Sequence, residues 1–152
     1  MRPTPERGFP DDEYAARCAA LQAAMAREAV DAVLFASEAE IRYFTGFMTP
    51  FWQSPTRPWY VLVPLTGKPV AVIPSIGGPL MRSCHVDDVL TWSAPAESDD
   101  GVSLLTSTIR QHAAPGQRLG LLMGRETALR MPATDMMAVS YTHLRLPTTI
   151  EV

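Results

Sequence analysis

The chain has little cysteine, little histidine and no long apolar run. Its two cysteines, Cys18 and Cys84, stand far apart and form no C-x-x-C pair. They read as reduced, half-buried thiols, not as a disulfide framework. The three histidines, His85, His112 and His143, are scattered along the chain. None stands in H-x-x-x-H or H-E-x-x-H spacing, or near a cysteine at ligand spacing, so no metal site can be assembled from them. No apolar run approaches the roughly 18–20 residues of a bilayer span. The opening MRPTPERGFPDDE lacks the apolar core of a secretory signal, and the expected location is cytoplasmic. Positive charge is not in excess either: 13 Lys and Arg stand against 16 Asp and Glu, a formal charge of −3. That balance argues against nucleic acid or an anionic membrane as partner.

What is present is a soluble globular composition. At 152 residues, 47% hydrophobic and 19% charged, the chain is expected to form one domain with a real core. Residues 1–10 carry three prolines and one glycine and read as an extended or mobile arm. Asp11 or Asp12 is expected to cap a helix reaching Ala29, with Tyr14, Cys18, Leu21 and Met25 on one stripe. Asp31 to Ala36 reads as a strand buried on both faces. Ser37 caps a brief helix from Glu38 to about Phe44, with Glu40 placed as in a capping box, and Gly46 ends it. Trp59–Leu65 and Pro69–Ile73, separated by Thr66-Gly67-Lys68, form a hairpin. A loop and short helix follow over Pro74–Cys84. Next come a strand over Val86–Trp92, a helix carrying Val102, Leu105 and Ile109, and a core strand over Arg118–Met123. Glu126 to about Val139 has helical composition, interrupted by Pro132. Helices and strands thus alternate as α, β, α, β, β, α, β, α, β, α. The fold expected is a three-layer α/β domain, with a mixed sheet of about five strands and helices on both faces. In it the hairpin adds an antiparallel pair to an otherwise crossover-connected sheet. Residues 11–139 form this domain. Ser140–Val152, SYTHLRLPTTIEV, has no amphipathic period. It resembles translated sequencing adapter, and is expected to be a non-native tail; the other reading is an edge strand at Thr148–Val152.

One stretch is out of character. Glu40–Val63 holds Tyr43, Phe44, Phe47, Phe51, Trp52, Trp59 and Tyr60, with Arg57 set between two prolines. Surface loops are ordinarily built from Gly, Ser, Asn and Asp, so rings here either pack inward or are held out for something to bind. Arg57 with Trp52 and Trp59 can bind a carboxylate through charge-assisted hydrogen bonds between apolar walls. The alternative is that the rings fill the gap between the sheet and a neighbouring helix. A domain this small is not expected to bury so many rings. Trp52→Ala is therefore expected to leave folding almost unchanged.

No other constellation carries chemistry. The acidic residues gather at Asp11–Glu13, Asp87–Asp88 and Glu97–Asp100 as caps and solvated turns. Ser75-Ile-Gly-Gly is not a G-x-S-x-G elbow. The turn Pro74-Ser-Ile-Gly-Gly-Pro lacks the lysine of a phosphate loop and reads as a helix entry. Neither a catalytic residue nor a metal ligand is assigned.

Ala39-Glu-Ile-Arg-Tyr-Phe-Thr-Gly-Phe47 resembles the N-I-x-Y-L-T-G-F signature of the N-terminal domain of creatinases, Xaa-Pro aminopeptidases and prolidases. The leading helix with Arg17, Leu21 and Met25 is similar too. So are the Asp31-Ala-Val-Leu34 strand, the hairpin after the T-G step and the strand beginning at Gly120. The resemblance spans residues 11–139. It implies a non-catalytic domain that precedes a larger pita-bread domain. In that larger domain two Asp, one His and two Glu hold a divalent metal pair in the peptidases, while creatinase works without metal; this chain carries no cofactor. It further implies a homodimer in which the domain reaches the rim of the partner's active site. In creatinase-like members an aromatic residue and an arginine after the T-G step hold the substrate carboxylate, and Trp52 and Arg57 stand in comparable places. The long loop also resembles lyase relatives that act on dimethylsulfoniopropionate. Glu40 departs from the pattern, which has Asn there. A second function, from another class, is a stand-alone α/β module that binds a small anion or a partner protein.

Overall fold

The computed structural model describes residues 8–53, 58–114, 116–125 and 127–143. The chain runs through α1 (Asp11–Glu28), β1 (Ala32–Phe35), α2 (Glu38–Thr45), a 3₁₀ turn (Pro50–Gln53), β2 (Tyr60–Pro64) and β3 (Val70–Pro74). It continues through a 3₁₀ turn (Ser75–Gly77), α3 (Gly78–Met81), β4 (Asp88–Trp92), α4 (Val102–His112), β5 (Leu119–Leu121) and α5 (Ala133–His143). The five strands form one sheet in the order β4-β3-β2-β1-β5.

Alternate side chains of the central strands feed two separate cores, as a strand's period of two requires. Val33, Phe35, Val61, Val63, Ala71 and Ile73 face α1, α2 and α3, meeting Cys18, Met25, Ile41, Phe44 and Met81. Ala32, Leu34, Tyr60, Leu62 and Val72 face the opposite layer, meeting Leu105 and Ile109 of α4, Ala113 at its C-terminal cap and Val139 of α5. Every residue of β1, β2 and β3 is buried. The three-layer arrangement follows directly.

The sheet is more antiparallel than the alternation of elements indicates. Besides the β2–β3 hairpin, β1 and β2 also pair antiparallel, with Phe35 opposite Val61 and Ala32 opposite Pro64. Only the two outer ladders, β1–β5 and β3–β4, are parallel. The eight residues of α2, about 12 Å of helix, do not carry the chain back across the sheet. They stay at one end of β1, so β2 returns beside it. The aromatic stretch is thereby confined to that end.

Asp31 ties the middle of the sheet together. Its backbone N–H donates to Arg118 O at 2.9 Å, and its carbonyl accepts from Leu65 N at 2.9 Å. Its carboxylate accepts from Arg118 N at 2.8 Å and Gln117 Nε2 at 3.2 Å. Gln22, on the polar side of α1, donates to Pro64 O at 2.9 Å and Gly67 O at 2.8 Å, pinning the helix to the hairpin turn.

The helix starts differ from the sequence reading. Pro10 occupies the cap position of α1, and Asp11, Asp12 and Glu13 lie in its first turn, where they complement the dipole. Ser37 does sit at the cap of α2, but its side chain makes no capping bond. The arm before α1 is anchored where it is described. The Arg17 guanidinium lies 4.3 Å from the ring centres of both Phe9 and Tyr43, a paired cation–π contact. Residues 127–132 are irregular, and α5 begins only after Pro132 and runs on through Ser140 to His143. The alternative edge strand at Thr148–Val152 lies outside the described residues.

Asp99 caps α4 from outside the helix. Gly101 holds the cap position with no side chain to offer, and both Asp99 carboxylate oxygens accept from Ser103 N, at 3.0 and 3.3 Å. Hydrogen bonding by the Ser103 side chain, and then by its backbone N–H, holds the Asp99 carboxyl below its ordinary value of 3.8. A group whose folded pKa is lowered stabilises the fold above the unfolded value, and that stability is lost as pH falls through the folded value. Asp99→Ala should therefore cost about 0.5–1 kcal/mol near neutrality, a cap's worth reduced by exposure. The gap to wild type should close as pH drops below 3.8; urea unfolding at both pH values measures it.

Candidate functional site

The aromatic stretch is built on the T-G-F step that ends α2. The Thr45 hydroxyl donates back to Ile41 O at 2.6 Å and accepts from Phe47 N at 3.1 Å. Gly46 follows at φ 76°, the left-handed conformation a helix C-cap requires, and its N–H donates to Arg42 O. The Thr45 carbonyl accepts from His85 N at 2.9 Å, which locks the step to the segment after α3. Phe47 is thus delivered into the core, fully buried.

Trp59 and Trp52 join it there. Trp59 is 2% exposed and Trp52 8%. Phe47 lies 5.4 Å from Trp59 and 6.4 Å from Trp52, and the two indoles are 6.0 Å apart at 52°. These spacings are those of favourable edge-on and tilted ring pairs. Phe51 stacks on the outer side of Trp59 at 6.3 Å and 20° while remaining 44% exposed. The expectation that so many rings exceed what the domain can bury is corrected. Phe44, Phe47, Trp52, Trp59 and Tyr60 are all buried. A sheet covered on two faces has two cores to fill, and Tyr60, one residue from Trp59, turns into the other one.

Of the three residues read from the sequence as a carboxylate site, Trp52 and Trp59 come together as one indole pair. Arg57 lies outside the described residues. A different arginine approaches from far along the chain: the Arg130 guanidinium carbon sits 5.6 Å from the Trp52 ring centre. Among the described residues the Trp52 Nε1 hydrogen, though buried, has no acceptor, and the buried Tyr60 hydroxyl has no partner. Burial also pushes the Tyr60 phenol up, with Asp135 and Asp100 adding to the shift. Cys18, in the same core as the indoles, is pushed by burial up to about 11, which makes it an inert packing residue and not a nucleophile.

Gly77 has a role that sequence reasoning missed. A methyl on it would overlap the six-membered ring of Trp59 at Cζ3. The glycine of this turn is needed because an indole lies against it. Around this packed centre the surface stays apolar: Met48 is 58% exposed and Ile76, next to Gly77, also 58%. Among the described residues no group of three or more His, Cys, Asp or Glu could hold a metal ion.

A two-core, mixed five-stranded sheet closed at one end by a T-G-F step and an indole pair defines a class of α/β domain. The Creatinase/Prolidase N-terminal domain family matches residues 17–132, and the chain belongs to that family. Its fold is that of several solved proteins. A prolidase from Thermococcus sibiricus superposes with a TM-score of 0.67 at 19% identity, over 85% of this chain and 32% of that one. A dipeptidase from Mycobacterium ulcerans gives 0.63 at 19% identity, over 88% and 33%. The Creatinase/Prolidase N-terminal domain of an X-Pro dipeptidase from Streptococcus pyogenes gives 0.64 at 12% identity, over 84% and 88%. The chain therefore spans about a third of the first two proteins and most of the isolated domain. No curated protein matches it in sequence.

Burial reverses the sequence-level expectation for Trp52. Trp52→Ala should destabilise the domain by about 3 kcal/mol, because an indole leaves a void that its neighbours fill only partly. Gly77→Ala should cost about 1–3 kcal/mol by forcing Trp59 off its position. Thermal melting of the two variants beside wild type checks both; an unchanged melting temperature for Trp52→Ala would show that the indole is not part of the core.

Proposed function

We propose that this chain is the non-catalytic N-terminal domain of a creatinase- or Xaa-Pro-peptidase-type hydrolase. In the whole protein it contributes to a homodimer and to the rim of the partner subunit's active site. The observation that carries the reading is the family match over residues 17–132, joined to the share of the solved prolidase that lies beyond the superposed part. The reaction belongs to that remaining part, the pita-bread domain. The described residues here do not fit a metal pair, since no three or more acidic, histidine or cysteine side chains among them converge. A divalent pair, where the enzyme uses one, is a property of the catalytic domain.

The aromatic end of the sheet is the surface proposed to face that domain. Trp52 and Trp59 stiffen the base of the loop, and Arg57 is the loop's own cation, suited to a substrate carboxylate. Met48, Phe51 and Ile76 are exposed apolar side chains, as expected of a surface that another domain covers. No helix among the described residues is long and apolar enough to cross a membrane, and the proposed location is cytoplasmic.

The gene read past Ser140 should encode either the two-Asp, one-His, two-Glu ligand set or the metal-free creatinase counterpart. In that longer protein Arg57→Ala should raise KM for a proline dipeptide or creatine about tenfold, one lost charge-assisted contact, without changing the mass of the dimer. This chain alone should hydrolyse neither. A reading frame that stops naturally near Val152, or activity in this chain alone, would overturn the proposal.

A further inference from the structure

A second site lies on the other side of α2. A cleft of about 350 Å³ opens where α1 and α2 leave the β1–β5 edge of the sheet incompletely covered. This is within the range of small-molecule sites, roughly 300–1,000 Å³. Its walls are almost wholly apolar, with Leu21 and Met25 from α1, Val33 and Phe35 from β1, and Leu122 beyond β5. Polar side chains interrupt them at Glu28, Glu40 and Thr127. Glu40, in the first turn of α2, lines the cleft, and its buried Oε2 has no hydrogen-bond partner among the described residues. A second carboxylate, Glu28, also lines it, and none of the described lining residues is basic.

A buried acceptor left unmatched is costly, and native proteins ordinarily satisfy such atoms. Here the unmatched atom borders an open apolar space. An occupant that completes the site must bring a donor to Glu40 and an aliphatic body to the walls. A carboxylate-bearing ligand would meet two like charges. A neutral hydrocarbon would fill the walls and leave Oε2 unsatisfied.

We infer that the cleft between α1, α2 and the β5 edge binds a small linear primary alkylammonium, its ammonium group on Glu40 Oε2 and its chain along Leu21, Val33 and Leu122. The ammonium supplies three donors and a charge opposite to that of both carboxylates.

The test uses the isotope-labelled chain titrated separately with n-hexylammonium, 1-hexanol and hexanoate, followed by amide shifts in β1 and β5. Hexylammonium should bind roughly tenfold more tightly than hexanol, the gain of one hydrogen bond to a charged group, and hexanoate should not bind. Glu40→Gln, which keeps the volume, should bring hexylammonium to the affinity of hexanol and leave hexanol unchanged. Leu21→Trp, which fills the apolar end, should abolish both and keeps the test decisive if Glu40→Gln fails to fold. Equal affinities for the amine and the alcohol, an amine affinity indifferent to Glu40→Gln, or shifts away from β1 and β5 would overturn the assignment. Each of these results leaves the reading of the chain as an N-terminal hydrolase domain untouched.

Discussion

The rest of the structure depends on β1 having no free side. Ala32–Phe35 is buried on both faces and paired along both edges, antiparallel to β2 and parallel to β5. A strand in that position satisfies every backbone group through its neighbours, and its four side chains are divided between two cores. Each layer of helices is held in place by the side chains that β1, β2 and β3 send toward it. Asp31, at the entrance to β1, accepts or donates to both flanking strands' ends, so the register of β2 and of β5 is set at one residue.

The aromatic end follows from that arrangement. Because α2 is too short to recross the sheet, the chain must turn back at the end of β1, and the turn is filled by rings. Trp59 begins β2's approach to the sheet and Trp52 closes over it, with Gly77 cut away to make room. The indoles therefore serve packing first. Whatever the loop touches in a larger assembly, its base is rigid because it is part of the core. The exposed rings and methionine lie outside that base, on the face where a neighbouring domain is proposed.

The Glu40 cleft arises from the same geometry at the opposite margin. β5 is only three residues long and is an edge strand, so the α1–α2 layer reaches past its support. Apolar walls without a filling side chain remain there, with an acceptor bordering them. A short edge strand limits pairing with foreign strands, and in this fold it also leaves a recess.

Much of this was legible in the chain itself. The order of elements, the stripe on α1, the run Asp31–Ala36, the hairpin around Gly67 and the T-G step after α2 follow from local periodicity, turn chemistry and glycine's access to positive φ. These are properties of neighbouring residues, and the sequence by itself determines them. The family resemblance rests on the same stretch. Tertiary structure alone decided the rest. The direction of β2 against β1 depends on how far α2 reaches in space, and the burial of Trp52 depends on its packing with Phe47 and Trp59, which no window of sequence displays. The pairing of Trp59 with Gly77 and of Trp52 with Arg130 joins residues far apart in the chain. The Glu40 oxygen that has no partner among the described residues is a product of packing, which places it at the edge of an apolar cleft; in sequence the same residue reads as half of a capping box.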